Sequence, residues 1–375
     1  MSVAKYSGSN PLYRHGFLKV SSNKRYLSFG DGTPFLWMGD SAQMSQTNAS
    51  YDDWRTYVRD RLAKHFTVLM ISTARSFEGA PSKNTDGNLP FIGSGLSQWN
   101  PAYWQDHEQR VQFANENGIV VVVHRLFRPG AEFTNPSEAK IFARNVVARY
   151  SGNFVVFSPN YDVGMNTTAD EQGIAVDQST SRHLVFQHPG TRGGQPCNTD
   201  AMAYYDRNYV DFAAVQSGHN NGDSKRCAQQ AREQMLCAWN HRPHKPVINI
   251  EAFYDGDRRS RDGTAFDARS LGYVSWLSGA LGYSYGVYGI WNWIRCPDDS
   301  CWSIAMKRES STQMKHIHDF FNAIEWWRIE PAHELNEASP GQALSPRARL
   351  LLRRSGVSSK CCFIESAASG WELDP

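Results

Sequence analysis

Asp162 follows the β-rich run Phe154 to Ser158, and Glu251 closes the run Val247 to Ile250. Cleavage of a glycosidic bond passes through a cation-like transition state. It therefore needs one carboxylic acid to protonate the departing oxygen and one carboxylate to attack the sugar or activate water. Asp162 and Glu251 suit those two roles if the fold sets them face to face. Other polar or aromatic residues end similar apolar runs: Asp40, Arg75, His124, Asn160, His188, Gln216 with His219, Tyr254, Trp291 and Asn292. Asp40 could accept hydrogen bonds from two sugar hydroxyls or cap the helix that follows it. His124 and His188 could bind hydroxyls, orient a carboxylate, or sit satisfied in the core. Arg75 could lower the pKa of a neighbouring carboxyl or hold an acidic sugar, or form a structural ion pair. Tyr254 and Trp291 could orient the glutamate and stack on a sugar ring, or pack the rim.

These residues work together only if the elements bearing them converge. Short apolar runs alternate with longer amphipathic segments along the chain, the pattern of repeated βα units. After a hairpin (Phe17 to Val20, Tyr26 to Phe29), the expected strands are Phe35 to Met38, Val68 to Ser72, Ile119 to Val123 and Phe154 to Ser158. Leu184 to Gln187, Phe212 to Val215, Val247 to Ile250 and Gly286 to Trp291 complete the set. Helical patterns cover Tyr51 to Lys64, Pro101 to Asn117, Asn135 to Tyr150, Lys225 to Trp239, Ala265 to Leu281 and Ser311 to Arg328. Eight units predict an α/β fold, a (β/α)8 TIM barrel over residues 11–335 with an N-terminal β-hairpin, whose working groups gather at the C-terminal strand ends. Strands four and seven of such a ring lie across the mouth from each other, and they carry Asp162 and Glu251. Residues 336–375 are too short for an independent domain and are expected to be a tail or truncated appendage.

Composition narrows the partners. Lys and Arg number 39 against 37 Asp and Glu, so no net field marks nucleic acid or an anionic membrane as partner. No run approaches the roughly 20 apolar residues of a membrane span. Twelve Trp, 16 Tyr and 19 Phe are a heavy aromatic load, which suits stacking on sugars as well as core packing. No metal-binding motif is present, and no cofactor is required by two-carboxyl chemistry. Among seven cysteines, Cys296 with Cys301 and Cys227 with Cys237 are the pairs expected to close short disulfide loops, the second with free thiols as an equal alternative. Asn48-Ala-Ser50 and Asn166-Thr-Thr168 are glycosylation sequons. The first ten residues lack the apolar stretch of a signal peptide, which fits cytosolic residence, a trimmed N-terminus or a misplaced gene start. The run Asp257-Arg-Arg-Ser-Arg-Asp262 reads as a solvated loop or as an anion site beside Glu251.

The stretches Gly16-Phe-Leu-Lys-Val20, Arg25-Tyr-Leu27 and Asp31-Gly-Thr-Pro-Phe-Leu-Trp-Met-Gly-Asp40 together resemble the apiosidase-like barrel family, which includes the apiosidases of glycoside hydrolase family 140. Further matches are His188-Pro-Gly190, Ile250-Glu-Ala-Phe-Tyr254, Tyr285-Gly286, Ile290-Trp291, and Gln313-Met314 to Glu325-Trp326, so the resemblance covers roughly residues 11 to 335. It implies a secreted, retaining glycosidase with Asp162 as acid/base and Glu251 as nucleophile. Where the family usually carries a Trp and a Gly-Asp pair, this chain reads Val155-Val-Phe-Ser-Pro-Asn-Tyr-Asp162, which leaves Asn160 as a substrate ligand beside the acid. The family barrel is commonly followed by a β-sandwich, and Arg347 to Pro375 does not read as one.

The expectation is an exo-acting hydrolase of an oligo- or polysaccharide, plant-type and pectic, releasing apiose or another furanose. An endo-acting hydrolase or a non-catalytic carbohydrate-binding barrel are the alternatives. Retention requires the two carboxyls about 5–5.5 Å apart, inversion about 6.5–9.5 Å. The sequence does not give the oligomeric state.

Overall fold

The computed structural model describes residues 6–73, 82–92, 98–124, 126, 136–190, 197, 199–218, 224–257, 264–331, 350–354 and 363–364. Helix α1 (Pro11–His15) precedes a small antiparallel sheet of β1 (Leu18–Val20), β2 (Leu27–Phe29) and β3 (Pro34–Phe35). Then come β4 (Trp37–Ser41), α2 (Ser45–Asn48), α3 (Tyr51–Ala63), β5 (Val68–Ser72), α4 (Pro101–Glu116), β6 (Val120–His124), α5 (Pro136–Tyr150) and β7 (Val155–Ser158). The second half holds α6 (Thr167–Asp177), α7 (Thr199–Tyr205), β8 (Ala213–Gln216), α8 (Ser224–Asn240), β9 (Val247–Glu251), α9 (Ala265–Leu277), β10 (Gly282–Tyr285), α10 (Trp302–Ala305) and α11 (Glu309–Asn322).

Seven of these strands form one all-parallel sheet in the order β7-β6-β5-β4-β10-β9-β8. The gap between its two edges is filled by the expected fifth barrel strand. Val185 forms a parallel bridge with Phe157, and its carbonyl accepts from the Asp211 amide at 2.9 Å. The Asp211 carboxylate takes the Val185 N–H at 2.8 Å, so a side chain stands in for part of a backbone ladder. The protein is therefore an α/β TIM barrel in which residues 184–187 are a stave with little regular pairing. The eighth barrel strand lies at Gly282–Tyr285 rather than at Gly286 to Trp291, which instead turns over the rim. The whole stretch is apolar and aromatic, so hydrophobicity alone does not fix where pairing stops.

Alternate residues of the strands enter two cores. Trp37, Val68, Met70, Val120, Val122, Val156, Phe186, Ala214, Ile248 and Ile250 fill the lumen, together with Leu18, Leu27, Phe29 and Phe35 of the small sheet, which plugs the N-terminal end. Met38, Leu69, Ile71, Val121, Val123 and Phe157 face the helices. The helices start where their sequences provide caps. Ser50 with Asp53 and Thr264 with Asp267 form reciprocal capping boxes, and Asn100 caps α4 ahead of Pro101.

Cys296–Cys301 is bridged, but Cys237 pairs with Cys197, not with Cys227. Helix α8 contains both Cys227 and Cys237, and ten residues at about 1.5 Å each separate them by about 15 Å, far beyond disulfide reach. Cys227 is buried and takes no part in a disulfide. At the C-terminal side, Ile329–Pro331 pairs with Leu350–Arg354, which pairs with Phe363–Ile364. The segment expected as a tail thus contributes two strands to a small antiparallel sheet.

Candidate active site

Strict alternation along β9 would turn Glu251 towards the helices, because Ile248 and Ile250 already face the lumen. A bulge changes that. Val215 pairs with Asn249 but Gln216 pairs with Glu251, so β9 carries one extra residue at Ile250 and the glutamate is turned back to the mouth. There, one carboxylate oxygen of Glu251, one of Asp162 and a ring nitrogen of His188 all lie within 4.8 Å of one another. Asp162 reaches this position from the loop after β7 in a left-handed conformation, φ 50°, which aspartate tolerates better than most side chains. The loop is tied to the residues after His188 by the Val163–Pro189 bridge and by the Gly190 N–H donating to the Val163 carbonyl.

The two carboxyls differ in surroundings. The side chain of Glu251 is 7% exposed and that of Asp162 41%. His188 is buried between them, with Nε2 3.3 Å from Glu251 Oε2 and Nδ1 4.0 Å from Asp162 Oδ1. Burial alone would lower the His188 pKa, but Glu251 and then Asp162 outweigh it, and the net shift is upward. Tyr254 is buried, and its hydroxyl donates to Ser41 Oγ at 3.1 Å. Burial, reinforced by the Glu251 charge, drives the phenol pKa well up, so Tyr254 stays a donor. Gly286 makes room for this ring, since a Cβ there would come 2.0 Å from Tyr254 Cε1. The indole of Trp291 lies beside Tyr254, with ring centroids 6.4 Å apart.

His124 ends β6 on the lumen side, its Nδ1 3.0 Å from Ser158 Oγ and its ring 5.2 Å from that of His188. Ser158 Oγ in turn donates to the Asn160 carbonyl. The side chain of Asn160 is fully buried, and among the described residues neither end of its amide has a hydrogen-bond partner. Such an orphaned amide is costly unless a ligand or water satisfies it. Gln216 ends β8 in the lumen-facing register of Phe212 and Ala214. Sequence thus brings Asp162, Glu251, His188, His124, Asn160, Gln216, Tyr254 and Trp291 to one end of the barrel. Ser41 joins them without a signal of its own beyond adjacency to a matched motif, and Gly286 from within the matched Tyr285-Gly286 pair.

Asp40 is not brought there. It shares the outward register of Met38, and its Oδ2 accepts from Arg61 Nε at 2.5 Å and Tyr57 Oη at 2.6 Å, both on α3. Carboxylate and guanidinium are both 0% exposed. This is a buried ion pair in the strand–helix layer, neither a sugar ligand nor a helix cap. Arg75, His219 and the run 258–262 lie outside the described residues. Asn292 holds a turn, its Oδ1 accepting from the Gly289 N–H. Among the described residues, one other group of potential ligand atoms, His65, His318 and Asp319, lies at the turn after α3 and on α11, and Asp319 is already paired with Lys315 and both histidines.

A parallel barrel with two carboxyl groups converging at its C-terminal mouth is an arrangement that glycoside hydrolysis can use. The comparisons agree with that reading. A glycoside hydrolase family 5 structure from Bacteroides vulgatus superposes with a TM-score of 0.78 at 20% identity, covering 91% of this chain and 79% of that one. Another structure described as a glycoside hydrolase gives 0.77 at 19% identity, covering 91% and 82%. A family 5 mannosidase from Rhizomucor miehei gives 0.56 at 10% identity, covering 82% and 97%. No protein of curated function matches the sequence. The family model described as apiosidase-like, catalytic domain, matches residues 21–328, and the chain belongs to that family.

Proposed function

We propose that this enzyme is a retaining, exo-acting glycosidase that removes apiose or another furanose from a plant-type, pectic glycan. Asp162 serves as acid/base and Glu251 as nucleophile. The observation that carries the mechanism is the approach of one oxygen of each carboxyl group to within 4.8 Å of the other, which accords with the about 5–5.5 Å separation of retaining enzymes better than with the about 6.5–9.5 Å of inverting ones. Their exposures suit the division of labour. Asp162, open to solvent, can exchange protons with the leaving group and with water, while Glu251, enclosed, is a nucleophile shielded from competing solvent. Asn160, Gln216 and His124 would take ring hydroxyls, and Trp291 would lie against the sugar face. The choice of sugar rests on family membership. Two disulfides favour an oxidising compartment and hence secretion.

The test is incubation with apiose-bearing pectic oligosaccharide and a panel of aryl glycosides, following the anomeric configuration of the first product by NMR. Release of a monosaccharide with retained configuration, lost in Glu251→Gln, is the expected result. Inverted product would overturn the retaining assignment, and oligosaccharide products would overturn exo action.

A further inference from the structure

We propose that His188 is a counter-ion shared by both carboxyl groups, its two ring nitrogens facing the two sites between which negative charge passes during turnover. The inference rests on the reading of Asp162 and Glu251 given above. In the first half-reaction a Glu251 oxygen bonds to the anomeric carbon, the glycosidic C–O bond breaks, and the departing oxygen takes the proton of Asp162. The negative charge has then left Glu251, now an ester, and resides on Asp162. In the second half, water bonds to the same carbon and gives its proton to Asp162, and the ester bond breaks with its electron pair returning to Glu251. One negative charge is present throughout and moves between oxygens less than 4.8 Å apart.

His188 sits where such a charge would be balanced in both positions. Nε2 lies 3.3 Å from Glu251 Oε2 and Nδ1 lies 4.0 Å from Asp162 Oδ1. Nδ1 is also 3.3 Å from the Pro189 carbonyl, so an N–H there is not stranded when Asp162 is neutral. Only the imidazolium offers an N–H at both nitrogens, whereas the neutral ring offers one. Among the described residues, the groups that face it are Glu251 from β9, Asp162 from the loop after β7, and the His124 ring from β6, whose own Nδ1 is engaged with Ser158. The upward pKa shift of His188 accords with this placement. The shorter contact to Glu251 also breaks the symmetry of the pair. In the resting enzyme it favours the charge on Glu251 and the proton on Asp162, the assignment that the chemistry needs. Because the cation is fixed and buried, it needs no reorganisation as the charge moves.

The experiment is 1H–15N NMR titration of the His188 ring in the wild-type enzyme, Glu251→Gln and Asp162→Asn, none of which requires a substrate. His188 is expected to titrate above the ordinary histidine range, near 6.5, with both nitrogens protonated below its pKa. Its pKa should fall in both variants, and further in Glu251→Gln. Titration at or below the ordinary range in the wild type, or indifference to both substitutions, would overturn the proposal. With an aryl glycoside that the enzyme cleaves, His188→Asn should lower kcat/KM (glycosylation) and the deglycosylation rate alike, by roughly 100-fold, and displace the alkaline limb of the pH profile. A purely structural histidine would move neither selectively. If Glu251→Gln and Asp162→Asn retain turnover, the underlying mechanism fails, and that outcome is separate from the titration.

Discussion

Replacing Asp40 separates two roles for a carboxylate at a strand end, sugar ligand and structural counter-charge. Asp40→Asn keeps the volume but removes the carboxylate that offsets the burial of Arg61, whose guanidinium keeps its charge in a fully enclosed site. Breaking a buried pair from one side costs about 3–5 kcal/mol. The low end applies here, because Arg61 Nη1 keeps Asp60 at 2.6 Å. With an unfolding entropy of about 2.1 cal/mol/K per residue, a chain of 375 residues loses roughly 4 °C in Tm for about 3 kcal/mol. The assay is thermal and urea unfolding of Asp40→Asn, with KM for a cleavable aryl glycoside measured well below Tm. The expected result is a lowered Tm and urea midpoint with KM unchanged. Replacing both partners, Asp40→Leu with Arg61→Met, should be less damaging than Asp40→Leu alone, because the second change removes the orphaned charge. A wild-type Tm together with a raised KM would refute the reasoning and put Asp40 on the substrate.

Glu251→Gln should abolish turnover while leaving the fold intact, since it replaces the nucleophile by an isostere, and a variant keeping the wild-type rate would remove Glu251 from the mechanism. Gly286→Ala should force the Tyr254 ring from its seat, costing about 1–3 kcal/mol and lowering kcat, as read by parallel unfolding and kinetic measurements. Asp211, whose pKa burial raises to about 6, holds its proton more tightly folded than unfolded. Its contribution is therefore most favourable below about 4 and declines as pH rises to about 6, by at most about 3 kcal/mol. Asp211→Asn, which still accepts the Val185 N–H, should flatten the change in stability between pH 4 and 7, and an unchanged pH dependence would count against it. Cys237→Ser opens a loop of 40 residues and Cys296→Ser one of 5. Chain entropy then predicts losses of about 4 and about 2 kcal/mol, in that order in urea unfolding.

What the sequence could show and what it could not divide along one physical line. The βα period was legible because most strands are short apolar runs and several helices bring their own caps; Val68–Ser72 falls where the pattern puts it, and four other strands of the ring fall within two residues. Parity was not legible. A strand of a parallel barrel is buried on both faces, so Trp37-Met-Gly-Asp-Ser41 offers no alternation to tell lumen from helix layer. Asp40 therefore read as a rim group although it points outward. Glu251 presents the same ambiguity with the opposite outcome: by parity it belongs outside, and only a bulge whose sole trace is a shift of register against Gln216 brings it to the mouth. The family motif marks Glu251 in sequence without containing the reason it faces Asp162. That reason lies in the pairing of β8 with β9, a contact between segments more than thirty residues apart, and the position of the proposed nucleophile is a property of that pairing more than of its own strand.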